Sequence, residues 1–218
     1  MEYNVGNNNK RKFDNDEDNN EYEYVKVIKK PRFEIDDSLI YAIGKEIHFT
    51  GSINSNSIER VIKLITKIIY EHESKHKNEK KKLNITIVVD SGGGGISAIL
   101  KFVDFIKMCK KKHSNVTFSS VGSGTIASAA TIMCLVCDKR LVTSHCACMI
   151  HELSSGNSGK YTQLHSYQKH LFALHNTLLD LYMTVAKVSR EEIEKLLNTE
   201  TWCSAEEYKA LGLVDEII

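Results

Sequence analysis

Ser128 lies in the small-residue run Gly124-Thr125-Ile126-Ala127-Ser128-Ala129-Ala130-Thr131, and an apolar stretch further on ends in Met149-Ile150-His151. A serine hydroxyl is a poor nucleophile until a base takes its proton, and histidine is the side chain that does this near neutral pH. Small neighbours leave room for a substrate carbonyl to lie against the backbone, where amide N–H groups can stabilise developing charge. The pair predicts acyl-transfer chemistry, hydrolysis first. The competing reading of Ser128 is a helix-packing residue among alanines; His151 stands out among the nine histidines because it ends a strand.

A second segment bears on the same chemistry. Asp90-Ser91-Gly92-Gly93-Gly94-Gly95 follows a β-branched stretch and opens a helical one. Successive glycines let backbone amides come close to a ligand, which suits a phosphate or an oxyanion. No Gly-Lys-Ser/Thr follows and the spacing misses the dinucleotide fingerprint, so the phosphate readings fail. The alternative for the run alone is a tight turn.

Six cysteines are present, and Cys134-x-x-Cys137 with Cys146-x-Cys148 superficially resembles a four-thiolate zinc site. The first pair falls in an apolar helix end and the second on one face of a strand. In both places cysteine serves as a small apolar residue, so the expectation is reduced, buried thiols and no metal. His165, His170 and His175 fall on a long helix and are expected at its surface or at an interface.

These groups need elements to hold them. Glu46 to Thr50 reads as a strand, Ser57 to Tyr70 as a helix with Ile58, Val61, Ile62, Ile65 and Ile69 on one face, and Lys75 to Lys82 as a charged loop. Strands are predicted at Leu83 to Val89, Val116 to Val121, Arg140 to Ser144 and Cys146 to His151, with helices at Ile96 to Lys110 and Ala127 to Cys137. The alternation implies an α/β fold with a largely parallel sheet. Tyr161 to Lys187 reads as one long helix. On it Leu164, Leu171, Leu178 and Val185 recur every seven residues, with Tyr167, Leu174 and Leu181 between them, an a/d stripe suited to another helix. An inter-subunit contact is favoured over an internal core face.

The chain has 218 residues, 42% of them apolar, with 29 basic and 28 acidic side chains and a net charge of +1. That suits one substantial core plus a tail and argues against a dedicated nucleic-acid binder. Residues 1 to 34, closed by the single proline Pro31, are too polar to offset their ordering entropy and are expected to be a disordered Asn- and charge-rich tail; residues 35–218 form the folded domain. The clusters Lys10-Arg11-Lys12 and Lys29-Lys30-Pro31-Arg32 of residues 1–34 have the form of a bipartite nuclear-import signal, although a solvated low-complexity segment is the favoured reading. With no apolar run of membrane-spanning length and no signal-peptide core, a cytoplasmic protein without a membrane partner is expected.

Taken together, the serine, histidine and glycine segments resemble the Clp protease proteolytic subunit (ClpP) family of the crotonase-like superfamily, particularly its compact phage- and virus-type members. The family's Ser-Pro-Gly-Gly loop is similar to Ser91-Gly92-Gly93-Gly94, and its Gly-x-Ala-Ala-Ser motif to Gly124-Thr125-Ile126-Ala127-Ser128. Met-Ile-His is unchanged at 149 to 151. The family's closing segment is similar to Glu200-Thr201-Trp202-Cys203-Ser204-Ala205-Glu206-Glu207 followed by Gly212-Leu213-Val214-Asp215-Glu216-Ile217. Three departures stand out. Gly92 replaces the loop proline, which loosens the loop but leaves its amides. An ungapped alignment back from Met149 puts Ile126 at the nucleophile position, whereas a two-residue shortening near Cys137-Asp138-Lys139-Arg140 restores Ser128, the preferred register. The acid falls on Glu200, one methylene longer than the family's aspartate, with Asp180, Glu194 and Asp215 as rivals.

The resemblance implies an α/β fold of repeated β-β-α spiral units with a protruding handle helix at about 161 to 187. It implies a serine endopeptidase of the ATP-dependent type in which His151 takes the Ser128 proton and Glu200 orients the imidazole. Gly94 and Ala129 amides would form the oxyanion hole, Gly93 and Gly95 would contact substrate, and no metal or organic cofactor is needed. The implied assembly is a homo-oligomeric ring with an internal chamber, acting on peptides or unfolded proteins. Any AAA+ unfoldase is a separate chain, because nothing in this sequence encodes an ATPase. The alternatives are a catalytically impaired ClpP-like scaffold subunit and, disfavoured by the Ser128 and His151 pair, a crotonase-type enzyme acting on acyl-CoA.

Overall fold

A computed structural model describes residues 39–76 and 81–218 of the chain. The expected tail at 1–34, both basic clusters and part of the charged loop at 75–82 lie outside the described residues. The described residues begin with an antiparallel hairpin, β1 (Ile40–Ile43) and β2 (Glu46–Thr50), followed by α1 (Ser55–Lys75). Then come β3 (Leu83–Ser91), α2 (Ile96–Lys112), β4 (Val116–Ala127) and α3 (Ala129–Leu135). After β5 (Lys139–Val142) and β6 (Ala147–Ile150) the chain runs through α4 (Tyr161–Met183) and α5 (Arg190–Asn198). It ends with β7 (Thr201–Cys203), α6 (Ala205–Ala210) and β8 (Glu216–Ile217).

The strands form one sheet in the order β1-β2-β3-β4-β5-β8, parallel from β2 onward, as the α/β expectation requires. Its centre follows from side-chain alternation. Leu83, Ile85, Ile87, Val89 and Ser91 of β3 all point inward, while Asn84 and Asp90 face out. The inward face packs on Ile58, Val61 and Ile65 of α1 and on Ile99, Phe102 and Ile106 of α2, which together make one core. α1 starts two residues before the expected Ser57, because Asn54 caps it: the Asn54 side chain accepts from the Asn56 and Ser57 amides at 2.9 and 3.0 Å. The Ser57 hydroxyl closes a capping box on the Asn54 amide at 2.8 Å.

Two elements differ from the sequence expectation in ways that matter for the site. β4 runs to Ala127 rather than stopping at Val121. Its register with β3 shifts between Val89 and Ser91, and its partner on the other side changes from β5 at Gly122 to β6 at Thr125. The Gly122-Ser123-Gly124 stretch reads locally as a loop, yet it is the bend that lets one strand serve two neighbours. α4 ends at Met183, four residues short of Lys187, because Lys187 gives its amide to the Leu211 carbonyl and the β-branched Thr184-Val185 pair leads the chain away. At about 35 Å this helix is still long. Along its heptad stripe, Leu178 and Leu181 pack against the core, whereas Leu164 is 41% exposed and Tyr167, Leu171 and Leu174 stay outside the core. Among the described residues no helix is long and apolar enough to cross a membrane.

Candidate active site

Strand register brings the motifs together. β3, β4 and β6 are parallel neighbours, so their C-terminal ends open at one edge of the sheet, where ligands bind in such folds. The glycine run follows β3, Ser128 follows β4 and His151 follows β6. Ala127 lies opposite Met149, which sets Ser128 beside the end of β6. β7 runs antiparallel to β6 with Ile150 opposite Thr201, and the next step along that ladder brings Glu200 toward His151. Four segments far apart in sequence thus line one cleft of about 640 Å³, whose walls include Gly92, Gly94, Gly95, Ser128, Ala129, His151 and Glu200.

Ser128 turns the chain sharply from β4 into α3. Its φ of 54° and ψ of −126° lie where glycine is the usual occupant; such a conformation costs on the order of 1–3 kcal/mol and persists only where its surroundings enforce it. Here they do so from several sides. The Ser128 amide donates to the Met149 carbonyl at 2.9 Å, and its own carbonyl accepts from the Thr131 amide at 3.0 Å. Gly93 presses from beneath: a Cβ there would lie 2.6 Å from the Ala127 oxygen and 2.7 Å from Ser128 Cβ. Only glycine permits that approach, at a φ of +95°. Ile126, the other registration choice, is fully buried in β4 opposite Ser91 and Cys148.

Ser128 Oγ and His151 Nε2 are 2.6 Å apart. For Nε2 to accept the serine proton the neutral ring must carry its own on Nδ1. Glu200 lines the same cleft, but among the described residues no carboxylate is within hydrogen-bond or ion-pair distance of His151. Glu200 occupies the position just past the C-cap of α5, with a φ of 48° and its amide on the Leu197 carbonyl. Glycine or asparagine is usual there, so a glutamate at the lip of a cleft is notable. The rival carboxylates are elsewhere: Asp180 pairs with Arg190 at 2.6 Å, Glu194 lies 3.8 Å from His175, and Asp215 takes the Arg140 amide at 2.8 Å and its guanidinium.

The candidate backbone donors come from two segments, Gly94 from the glycine run after β3 and Ala129 from the start of α3. Among the described residues the amides of Gly94 and Ala129 make no hydrogen bond, and both residues line the cleft. Gly95 also lines it and gives its amide to the Ile53 carbonyl at 2.8 Å. Gly93, expected to touch substrate, sits buried behind the wall. Its amide donates to Ser91 Oγ at 3.1 Å and its carbonyl accepts from Ile53 at 2.8 Å, so its backbone is already engaged. Sequence reasoning missed the rest of the lining: Ile96, Ile132, Met149, Leu153, Leu178 and Tyr182 make an apolar wall, with Glu152 at its edge. Those from α4 face the cleft only because its C-terminal end packs on α3, which no local pattern encodes.

All six cysteines are free and buried. Burial raises the Cys134 thiol and pushes Cys137 up to about 12, and contact with Cys146 together with burial raises Cys148. Such thiols are poor ligands and poor nucleophiles.

A sequence model of the family described as Clp protease matches residues 40–218. The ATP-dependent Clp protease proteolytic subunit 1 of Chlamydia abortus is 32% identical over 136 residues, which cover 62% of this chain and 69% of that one. The protein of the same name from Chlamydia caviae is 26% identical over 193 residues, 88% of this chain and 94% of the relative. That of Protochlamydia amoebophila is 30% identical over 137 residues, 62% and 65% of the two chains. The convergence of serine, histidine and glycine loop on one sheet edge and the match over residues 40–218 agree: the chain belongs to the Clp protease family of serine peptidases.

Proposed function

We propose that Ser128, His151 and Glu200 form the catalytic triad of this peptidase, with the amides of Gly94 and Ala129 as its oxyanion hole. The observation that carries the reading is the 2.6 Å Ser128 to His151 contact in a cleft also lined by Gly94 and Ala129, whose amides make no hydrogen bond among the described residues. His151 Nε2 takes the Ser128 proton as Oγ bonds to a peptide carbonyl carbon, and the carbonyl π electrons move onto oxygen. The tetrahedral intermediate collapses, His151 hands its proton to the leaving amine, and water repeats the sequence on the acyl-enzyme. Each oxyanion donor is worth about 10²–10³ in rate, comparable to a catalytic side chain. The apolar wall beside Ser128 suits an apolar side chain of an unfolded or peptide substrate.

The half-exposed stripe of α4 supports assembly of copies into a ring that encloses the sites, and the names of the relatives support a separate ATP-driven unfoldase as partner. We read residues 35–218 as the peptidase domain and the location as cytoplasmic. Nuclear import gains no support from bacterial relatives.

One observation favours a second reading, a catalytically impaired scaffold subunit: Glu200 does not touch His151 here. A fluorophosphonate probe separates the two. Wild-type protein should be labelled at Ser128, with intact mass locating the adduct, and Ser128→Ala should not be. An assembled wild type that resists the probe favours the scaffold, and labelling retained in Ser128→Ala moves the nucleophile elsewhere.

A further inference from the structure

The carbonyl of Ser128 is gripped by a side chain as well as by the helix it caps. Thr131 Oγ1 donates to it at 2.6 Å. Tyr182 Oη lies 2.5 Å from that same Thr131 oxygen. A hydroxyl has one hydrogen, and Thr131 has given its own to Ser128, so Tyr182 must be the donor of the second bond. Both side chains are sealed from water: Thr131 is 0% and Tyr182 2% exposed. Burial also raises the Tyr182 phenol above its ordinary range, which keeps the donor protonated at any working pH. Tyr182 belongs to the last turn of α4, so the two bonds run from the base of the long helix into the turn that carries Ser128.

The geometry of one peptide unit turns this grip into a catalytic matter. The Ser128–Ala129 amide is planar and trans, so the Ser128 C=O and the Ala129 N–H point in opposite directions. Drawing the carbonyl inward to Thr131 therefore aims the N–H outward, into the cleft where a substrate carbonyl oxygen would sit. Two hydrogen bonds on the carbonyl also polarise the unit and strengthen its N–H as a donor. Ser128 is held in a conformation its side chain disfavours, and release of its carbonyl would let the peptide rotate.

We propose that Thr131 and Tyr182 are positioning residues: they fix the Ser128–Ala129 peptide so that its N–H serves the oxyanion, and they make that alignment depend on where the base of α4 lies. This rests on the reading of Ser128 as nucleophile and Ala129 as donor. Neither hydroxyl touches the reacting atoms. Thr131 acts on the donor peptide, and Tyr182 acts through Thr131.

The test uses full-length assembled protein carrying Thr131→Val, Thr131→Ser, Tyr182→Phe, or Thr131→Val with Tyr182→Phe. It reads kcat and KM on a fluorogenic peptide and the rate of fluorophosphonate labelling, with circular dichroism and light scattering as checks on fold and mass. Thr131→Val should lower kcat and the labelling rate about tenfold with KM nearly unchanged, less than outright loss of an oxyanion donor. Thr131→Ser, which keeps the hydroxyl, should stay within about threefold of wild type, and Tyr182→Phe should fall between the two. The double variant should be no slower than Thr131→Val, because Tyr182 works only through that hydroxyl. Wild-type kcat in Thr131→Val, a loss confined to KM, serine no better than valine, or additive losses in the double variant would each overturn the proposal. Should Thr131→Val not fold, Tyr182→Phe, which keeps the ring in the cleft wall, decides alone: unchanged kcat sinks the idea. A wild type that is labelled at Ser128 with no response to these variants removes this inference only, whereas an unlabelled wild type removes the nucleophile reading with it.

Discussion

The two ends of the candidate triad are built differently. Ser128 is enclosed: its amide is on Met149, its carbonyl on Thr131, glycine backbone lies beneath it and His151 stands over it. Glu200 sits exposed on the turn between α5 and β7, and its carboxylate makes no hydrogen bond among the described residues. A nucleophile and its oxyanion donors need alignment within a fraction of an ångström, and the contacts around the turn that follows β4 supply it. An acid that only orients and electrostatically supports an imidazole tolerates a looser mount. It also offers a place where alignment can change without unfolding the core.

That contrast sets the order of the expected effects. The largest belongs to the enclosed end. Gly93→Ala forces a methyl against the Ala127 oxygen and Ser128 Cβ, so kcat should fall by on the order of 100-fold, the scale of one lost oxyanion donor. Near-normal kcat in a folded, assembled Gly93→Ala particle would show that the serine turn is less constrained than its contacts indicate. Glu200→Gln comes next, at roughly tenfold in kcat with particle mass unchanged, because a glutamine oxygen could accept from the imidazole once the two are aligned but gives no charge to the imidazolium. Turnover equal to wild type would pass the acid's role to Glu152, the other carboxylate of the cleft wall. The smallest effect on the chain's own fold belongs to α4 away from its base. Leu171→Glu should leave secondary structure and melting nearly unchanged, within the roughly 0.5 kcal/mol typical of surface substitutions, while lowering particle mass in light scattering. A fall in melting temperature at constant mass would mean that Leu171 is part of the internal core after all.

Much of the fold was readable because local patterns carried it. The β-branched run from Leu83 to Val89 marked a strand, and the spacing of Ile58, Val61, Ile62, Ile65 and Ile69 marked a helix face. The short elements at either end were not read as such. β1, β7 and β8 have two to four residues each, too few to show a period, and they exist because a neighbouring strand offers its edge. The second half of β4 was hidden by its glycines. The heptad stripe of α4 was correct as a pattern but said nothing of where the stripe enters the core, and that point lies near Leu178.

In the site, residue type alone singled out Ser128, His151 and the glycine run, since few side chains can be a nucleophile or its base and few backbones can approach a carbonyl closely. Residue type could not say how these meet. Their convergence depends on the shift of register in β4 and on the pairing of β6 with both β4 and β7, which are long-range choices made by packing. The same holds for the link from Tyr182 through Thr131 to Ser128. A threonine in a short apolar helix and a tyrosine at the end of a long one carry no mark of each other in sequence. Only the docking of α4 on α3 excludes water and leaves the Tyr182 hydroxyl that of Thr131 as its partner.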